Sequence, residues 1–259
     1  MAAAGLGHTA ALKADGTVVA WGLNDFGQCN LPTGLGGCSL VDAGDNFTVA
    51  LKTSGFAVSW GRTTHGQSNV PGGLGACVRI AAGDDHTAAV RLDGAVSCWG
   101  YNEFGQCTVP ANVGVCQEVA AGSTHTAALT SSGSVICWGR NQAGQCTVPA
   151  NLGVCSTIAC GEDHTVALLE PGSAVCWGVN QYGQCAAPSS LGACTQLASY
   201  GNHTIVQFPD CNASGLSDIS ELEWGLSGDG NGNDVPDECD YTSLVSRIGA
   251  PTLPLFLAR

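Results

Sequence analysis

A Trp-Gly pair returns along this chain at one fixed interval. It occurs five times, and each copy begins 39 residues after the previous one, at Trp21, Trp60, Trp99, Trp138 and Trp177. Five of the six tryptophans therefore share one register, without an insertion or a deletion. A period of roughly 20 to 50 residues is typical of solenoids, propellers and other repeat arrays. This periodicity constrains the fold more than any other feature of the sequence.

Each repeat carries the same signals in the same order. A short apolar run precedes Gly-x-x-His-Thr, and a glycine turn, Val-x-x-Trp-Gly and a Gly-Gln-Cys loop follow. We predict three clear strands and a weaker fourth in each unit. In the third unit they cover residues 78–82, 86–92, 95–100 and 107–109. Alternation along the third strand places Val96 and Cys98 on one face and Ser97 and Trp99 on the other.

The repeats predict an all-β protein. A four-stranded unit repeated radially is a propeller blade, so we expect a β-propeller of short, 39-residue blades over residues 1–208, with five complete units and a partial sixth. Hydrophobic residues make up 44% of the chain and charged residues 11%, and there are 37 glycines, as expected for short strands and tight turns. We also expect strands within residues 195–208. Either these strands close the ring with N-terminal strands, or further blades are missing.

The motif Gly-x-x-His-Thr, followed by Gly-x-Val-x-x-Trp-Gly-x-Asn-x-x-Gly-Gln, resembles the regulator of chromosome condensation repeat family. The Asn position is filled by Asn24, Asn102, Asn141 and Asn180, whereas Thr63 departs from it. The resemblance covers roughly residues 1–208. It implies a β-propeller, in a family whose blades are usually longer and more numerous.

Two repeated side chains allow alternative interpretations. The histidine recurs at His8, His86, His125, His164 and His203, and Phe47 takes its place in the second unit. We interpret each His-Thr pair as satisfying backbone groups at the start of a strand; the alternative is a histidine ring facing a central channel. The tryptophans are interpreted as packing between blades, with sugar stacking as the alternative.

The positions that differ between units are candidates for ligand contact. They follow the Gly of Gly-x-x-His-Thr and the Trp-Gly pair. They are Asp45-Asn46, Asp84-Asp85, Ser123-Thr124, Glu162-Asp163, Asp25-Phe26, His65, Glu103-Phe104, Gln142-Ala143 and Gln181-Tyr182. Exposed aromatic residues beside acids and amides suit a protein or carbohydrate ligand on this variable loop face. Solvated turns without a ligand are the alternative.

The chain contains 15 cysteines, many more than is usual in a reducing compartment. Four pairs are spaced by nine residues across a proline loop and are sensible disulfides: Cys29/Cys38, Cys107/Cys116, Cys146/Cys155 and Cys185/Cys194. A second pairing stays open: Cys77/Cys98, Cys116/Cys137 and Cys155/Cys176. On the first pairing, Cys98, Cys137 and Cys176 act as small buried apolar groups. The odd number of cysteines leaves at least one unpaired thiol within a single molecule.

The charge and the terminal sequences limit the classes of partner and the cellular locations that we expect. The formal net charge is −13, which disfavours nucleic acid and docking of a basic patch on a membrane. The N-terminal residues lack the basic flank and apolar core of a signal peptide, and no apolar run is long enough to span a bilayer. We weigh the cysteines more heavily and expect an extracellular or cell-surface protein.

An acidic segment over residues 209–241 predicts two calcium loops. The first fits the twelve-residue loop pattern with Asp210, Asn212, Ser214, Leu216, Asp218 and Glu221. The second uses Asp229, Asn231, Asn233, Val235, Asp237 and Asp240, and its shorter closing Asp predicts weaker binding. The segment resembles dockerin-type and thrombospondin type 3 calcium repeats, with Cys211 and Cys239 as candidates for a bridge. A disordered acidic linker is the alternative, and residues 242–259 form an apolar tail of unknown role.

These features predict a non-enzymatic extracellular binding or scaffold module whose C-terminal segment is stabilised by Ca²⁺. The family resemblance implies an alternative, guanine-nucleotide exchange on, or regulation of, a small GTPase. The dockerin likeness suggests a second alternative, a non-catalytic or accessory part of a polysaccharide-degrading system. We expect no catalysis, because no acid pair or nucleophile-base motif stands out from the repeats.

Overall fold

The computed structural model describes residues 1–187 and 193–207, which form six antiparallel sheets. The strands are β1 (Ala2–Ala4), β2 (His8–Leu12), β3 (Val18–Gly22), β4 (Cys38–Ala43), β5 (Phe47–Lys52), β6 (Ala57–Gly61), β7 (Cys77–Ala82), β8 (His86–Arg91), β9 (Val96–Gly100), β10 (Cys116–Ala121), β11 (His125–Thr130), β12 (Val135–Gly139), β13 (Cys155–Cys160), β14 (His164–Leu169), β15 (Ala174–Gly178), β16 (Gln196–Tyr200) and β17 (His203–Gln207). Within this part of the chain, no helix is long and apolar enough to cross a membrane.

Consecutive strands pair within each sheet. Sheets one to five contain three strands each, in the order β1-β2-β3 through β13-β14-β15, and sheet six contains β16 and β17. The predicted all-β array of five complete units and a partial sixth is confirmed over these residues. The predicted fourth strand is wrong at residues 107–109, which form no strand. There the backbone N–H groups bond within the loop, Cys107 to the Asn102 side chain at 2.8 Å and Thr108 to the Gly105 carbonyl at 2.9 Å.

A tight turn joins the second strand of each unit to the third. In sheet three, this turn contains Gly94 and Ala95, and the Gly94 N–H donates to the Arg91 carbonyl at 2.9 Å. Gly94 has a φ of 79°, a left-handed conformation that glycine adopts without steric cost. An added Cβ would also collide with the Val115 side chain. The glycine therefore sets the hairpin register that aligns Thr87 with Trp99.

The apolar core lies between successive sheets. Trp99 packs with residues of β5 and β7, including Val49 and Ile80, whereas Val96 and Cys98 pack on the opposite side against the cluster that contains Trp138. The predicted two faces of the third strand are confirmed. Each sheet therefore contributes one face to each of two cores, and each unit is stabilised chiefly by its immediate neighbours.

A four-residue hydrogen-bond network crosses the seam between sheets three and four, where a seam is the contact between two successive sheets. Thr126 Oγ1 donates to the Gln106 carbonyl at 2.8 Å, and Trp138 Nε1 donates to the same oxygen at 2.9 Å. His86 Nε2 lies 2.9 Å from Thr126 Oγ1. Because the hydroxyl hydrogen is directed to Gln106, the threonine oxygen accepts from a protonated Nε2.

The same network recurs along the array with two instructive departures. It is complete at the seam of sheets one and two and at that of sheets four and five, and the last seam keeps the His–Thr–Gln part. Between sheets two and three, Phe47 replaces the histidine, and only the bonds of Thr87 and Trp99 to the Gln67 carbonyl remain. Trp21 has no such carbonyl partner among the described residues and is 54% exposed.

The network corrects two interpretations. Threonine satisfies a backbone carbonyl, as predicted, but histidine bonds to the threonine hydroxyl of the next sheet. The alternative histidine ring is wrong for the buried histidines His8, His86, His125 and His164, which lie in the seams. Packing of tryptophan between sheets is confirmed for four indoles, which are at most 8% exposed, and is wrong for Trp21. Burial lowers the pKa of His8, and that of His164 to about 4, so these imidazoles are neutral at physiological pH.

One disulfide, Cys176–Cys185, forms among the described residues. The predicted Cys185/Cys194 pair is therefore wrong, and Cys176 is a disulfide partner rather than only an apolar filler. Both proposed sets of pairs are wrong in this structure, because nine of their members carry free thiols: Cys29, Cys38, Cys77, Cys98, Cys107, Cys116, Cys137, Cys146 and Cys155. The cysteines that begin β4, β7, β10 and β13 are buried, with each thiol directed to a nearby glycine carbonyl at 3.8 Å.

Replacing Thr126 with Val should lower the free energy of unfolding by about 1–3 kcal/mol, because His86 and the Gln106 carbonyl each lose a buried partner. The matched control is Thr87→Val at the Phe47 seam, where no histidine depends on the hydroxyl. Urea unfolding of both variants measures the difference. Equal losses in the two variants would show that the histidine bond contributes nothing to the seam.

Candidate binding face

One end of the array carries most of the residues that differ between units. The Gly-x-x-His loops and the segments after Trp-Gly meet there. In every complete unit, a backbone N–H of the segment after Trp-Gly donates to a carbonyl of the Gly-x-x-His loop. In the second and third units, Arg62 donates to Asn46 and Tyr101 donates to Asp85, both at 2.8 Å. We call this end the loop face. The two predicted sets of variable positions therefore share one surface.

An aromatic and cationic ridge crosses the loop face. At three successive seams, the fifth residue after a tryptophan contacts the residue 36 positions later, which is the second residue after the next tryptophan. Accordingly, the Arg62 guanidinium lies 5.6 Å from the Phe26 ring centroid, and the same distance separates Arg140 from Phe104. His65 and Tyr101 are 4.9 Å apart between ring centroids.

The ridge is continuous over the third unit, because Tyr101 also packs edge-on against Phe104 at 6.3 Å. Phe26 is 50% exposed and Phe104 is 40% exposed, so their rings present apolar surface to solvent despite these contacts. The predicted loop positions Phe26, His65 and Phe104 are confirmed as members of one surface. The partners Arg62, Tyr101 and Arg140 were missed, although they follow Trp-Gly directly and also vary between units.

Carboxylates surround the base of the ridge. Arg62 Nη1 lies 3.5 Å from Asp85 Oδ1, and Gln67 Nε2 donates to the same oxygen at 2.6 Å. Burial and the charges of Asp84 and Asp85 raise the pKa of Asp45 to about 7, an effect that Arg62 opposes. The acids on this face are thus crowded, and Arg62 lies between them and the exposed Phe26 ring.

A second concave region lies where the first strands of the sheets converge. Residues of β4, β7, β10, β13 and β16, together with Met1, line a cavity of about 450 Å³. Its acids already have partners in the fold: Asp42 accepts the N–H groups of Ala43 and Ala82, and Glu118 accepts from the Thr157 hydroxyl at 2.9 Å.

These contacts join neighbouring first strands, so the cavity acids are structural. Burial raises the pKa of Glu118 to about 7, while the Thr157 bond and the charge of Arg79 act in the opposite direction. In the part of the chain that is described, no cluster of three or more His, Cys, Asp or Glu side chains is placed to bind a metal ion.

The predicted calcium ligands, from Asp210 to Asp240, lie outside the described residues, as do the Cys211/Cys239 bridge and the apolar tail over residues 242–259. The expected strands within residues 195–208 are confirmed as β16 and β17, apart from Phe208, which is also outside.

Four segments of the chain match the sequence family described as the Regulator of chromosome condensation (RCC1) repeat, at residues 2–28, 77–106, 116–145 and 155–184. No curated protein sequence matches the chain significantly. The described part of the chain is therefore an all-β repeat array in which four of the six units match RCC1 repeats.

Solved structures share this architecture. Human WBSCR16 superimposes with a TM-score of 0.70 at 20% identity, over 81% of this chain and 71% of that one. The ectodomain of the Physcomitrella patens receptor kinase CR4 gives 0.66 at 24% identity, over 78% and 58%. Yeast RCC1 (Prp20), crystallised with Kap60 bound, gives 0.66 at 19% identity, over 79% and 65%. The chain spans less than two thirds of the CR4 and yeast RCC1 chains, and likeness at these identities shows the fold alone.

Replacing Asp45 with Asn should stabilise the protein in a pH-dependent way. The folded-state pKa is raised from 3.8 to about 7 by burial and by Asp84, Asp85 and Glu162, so the carboxyl costs stability as pH rises from about 4 to 7. We expect a gain on the order of 1 kcal/mol at pH 8, after allowing for solvent screening of a partly exposed group, and little gain at pH 4. Urea unfolding at both pH values, with exposed Asp25→Asn as the control, measures it; a pH-independent gain would contradict the crowding of charges.

Proposed function

We propose that the protein is a non-enzymatic protein-binding module that docks its partner on the loop face. The observation that carries this proposal is the ridge of Phe26, Arg62, Tyr101, Phe104 and Arg140, in which exposed rings are held beside cations. Aromatic residues and arginine contribute a disproportionate share of binding energy at protein interfaces. The ridge crosses four units, so it offers an extended surface rather than a single pocket.

The order of the ridge residues and the charge of the array favour a protein partner. Arg62 and Arg140 restrict Phe26 and Phe104 by cation–π contact, so binding orders few additional side chains. Residues 1–207 carry 6 Lys or Arg and 12 Asp or Glu, a difference of −6, which favours a partner with basic groups beside an apolar patch.

The RCC1 comparison adds support of a general kind. RCC1-repeat proteins are typically non-catalytic binding or exchange-factor modules. The yeast relative was crystallised with Kap60, and Prp20p has been examined for binding to Gsp1p and histones. Guanine-nucleotide exchange remains the alternative that the family resemblance implies, and no contact among the described residues favours it.

Replacing Phe104 with Ala should weaken partner binding about tenfold, which corresponds to about 1.4 kcal/mol. The partner is first captured by crosslinking to the wild-type protein and identified, and the dissociation constant is then measured with purified components. Leu92→Ala is the matched control, because Leu92 is 74% exposed but lies at the β8–β9 hairpin, at the opposite end of the sheets. Equal affinities for wild type and Phe104→Ala would overturn the ridge as the docking surface.

We also propose that the protein is exported and that residues 209–241 bind Ca²⁺. The Cys176–Cys185 disulfide supports an oxidising compartment. The calcium proposal is supported by the loop pattern and by the nine acids between Asp210 and Asp240, a segment without Lys or Arg.

Replacing Glu221 with Ala should weaken calcium binding at least tenfold, because the closing Glu supplies two of the oxygens that a calcium loop offers. Isothermal titration with CaCl₂ on the full chain measures the effect. Glu170→Ala, which changes an exposed acid in the repeat array, is the control and should leave binding unchanged. Identical heats for wild type and Glu221→Ala would refute the loop assignment.

A further inference from the structure

The disulfide in the fifth unit joins two repeat positions that other units also fill with cysteine. Cys176 is the residue before the tryptophan on the third strand, and Cys185 follows the Gly-Gln pair of the loop, nine positions later. The same two positions hold Cys98 and Cys107 in the third unit and Cys137 and Cys146 in the fourth. These pairs belong to neither of the pairings that the spacing of the cysteines first suggested.

The backbone that carries the two positions is the same in all three units. The loop cysteine donates its N–H to the asparagine side chain at 2.8 Å, from Cys107, Cys146 and Cys185 alike. The glycine before the Gln has a φ of 81°, 82° and 81° in the same three units. Cys98, Cys137 and Cys176 also pair with the middle strand in the same register, so the backbone around the two reduced pairs matches that around Cys176–Cys185.

The loop thiols in the reduced units have only a replaceable contact. Cys107 Sγ lies 3.2 Å from the Tyr101 carbonyl, and Cys146 Sγ lies 3.2 Å from the Arg140 carbonyl. Ser68 makes the equivalent bond to the Arg62 carbonyl in the second unit. A thiol is a weak donor, so loss of this contact costs little when a disulfide replaces it.

The second unit replaces both positions together. Ser59 and Ser68 stand where the third, fourth and fifth units have paired cysteines. In the first unit Ala20 stands at the strand position, so Cys29 has no counterpart there. At these two positions, four of the five units thus have either two cysteines or none, as expected if the two residues form a pair.

We propose that Cys98–Cys107 and Cys137–Cys146 form disulfides in the mature protein, equivalent to Cys176–Cys185. In each pair, two thiols lose two protons and two electrons, one S–S bond forms, and a small-molecule or protein disulfide oxidant is reduced to two thiols by exchange. Each bond fixes a ridge-bearing loop to its own strand, because Tyr101 and Phe104 lie between the first pair.

Oxidation is expected during folding rather than afterwards. Burial raises the pKa of Cys107 and of Cys146 to about 12, and the thiolate is the species that exchanges. Burial also raises the pKa of Cys98, and the charge of the nearby Cys107 adds to this effect. The folded, reduced protein should therefore oxidise slowly.

The fourth unit contains a competitor. Cys137 packs against the apolar cluster that includes Cys160 of the next sheet, whereas the third unit has Ala121 at the position equivalent to Cys160. A Cys137–Cys160 link is thus an alternative outcome in the fourth unit, and the third unit provides a test without that competitor.

The test is oxidative refolding of the full chain in a glutathione redox buffer, followed by alkylation and non-reducing digestion with chymotrypsin and trypsin. Cleavage after Tyr101 or Phe104 separates Cys98 from Cys107, and cleavage after Arg140 separates Cys137 from Cys146, so mass spectrometry identifies the linked peptides. The Cys176–Cys185 link serves as the positive control. The double variant Cys98→Ser/Cys107→Ser, which reproduces the second unit, should refold and lose two protected thiols.

Linked peptides for both pairs would support the proposal. With Cys176–Cys185 formed, alkylation of Cys98 and Cys107 without prior reduction would overturn the first pair, and a Cys137–Cys160 peptide would overturn the second. Oxidation should also reduce cleavage of the native loop after Phe104 severalfold relative to the reduced protein. Equal cleavage would contradict the proposed restraint on the ridge. Neither result depends on the identity of the binding partner.

Discussion

The backbone carbonyl of one glutamine per unit is the point on which the array depends. It accepts a threonine hydroxyl and an indole N–H from the next sheet, and in most seams a buried histidine completes the set by donating to the threonine. A buried carbonyl with two lone pairs needs such partners. Because the donors and the acceptor belong to different units, the unit cannot satisfy its own polar groups alone. Stacking in one register is thus enforced by hydrogen bonds as well as by apolar packing.

Much of this architecture was predictable from the chain. The 39-residue interval identified the units, the alternation in residues 96–99 identified the two faces of the third strand, and four of the five repeated tryptophans pack where expected. The histidine contact was not predictable, because His86 and Thr126 lie 40 positions apart and belong to two different units. The prediction of a fourth strand failed because asparagine side chains accept hydrogen bonds from the loop backbone. Strand propensity does not account for this local competition.

The loop face illustrates the same limit. Its variable positions were identifiable as a set, since they are where the units differ. The pairing of Phe26 with Arg62 required knowledge of which residues meet across a seam. The spacing of the cysteines misled for a related reason. Two intervals of nine residues separate cysteines in the third, fourth and fifth units, and it is the strand-to-loop interval that brings sulfurs together in Cys176–Cys185.

Phe47 gives the array an internal asymmetry. It is fully buried and packs among apolar side chains of the neighbouring sheet, so the seam of sheets two and three contains no imidazole at this position. Acid strong enough to charge His164, whose pKa is about 4, would place a cation in the last seam, whereas the Phe47 position offers no imidazole to charge. A strongly acidified molecule would therefore have a route to loosening at the last seam that is missing at the Phe47 position.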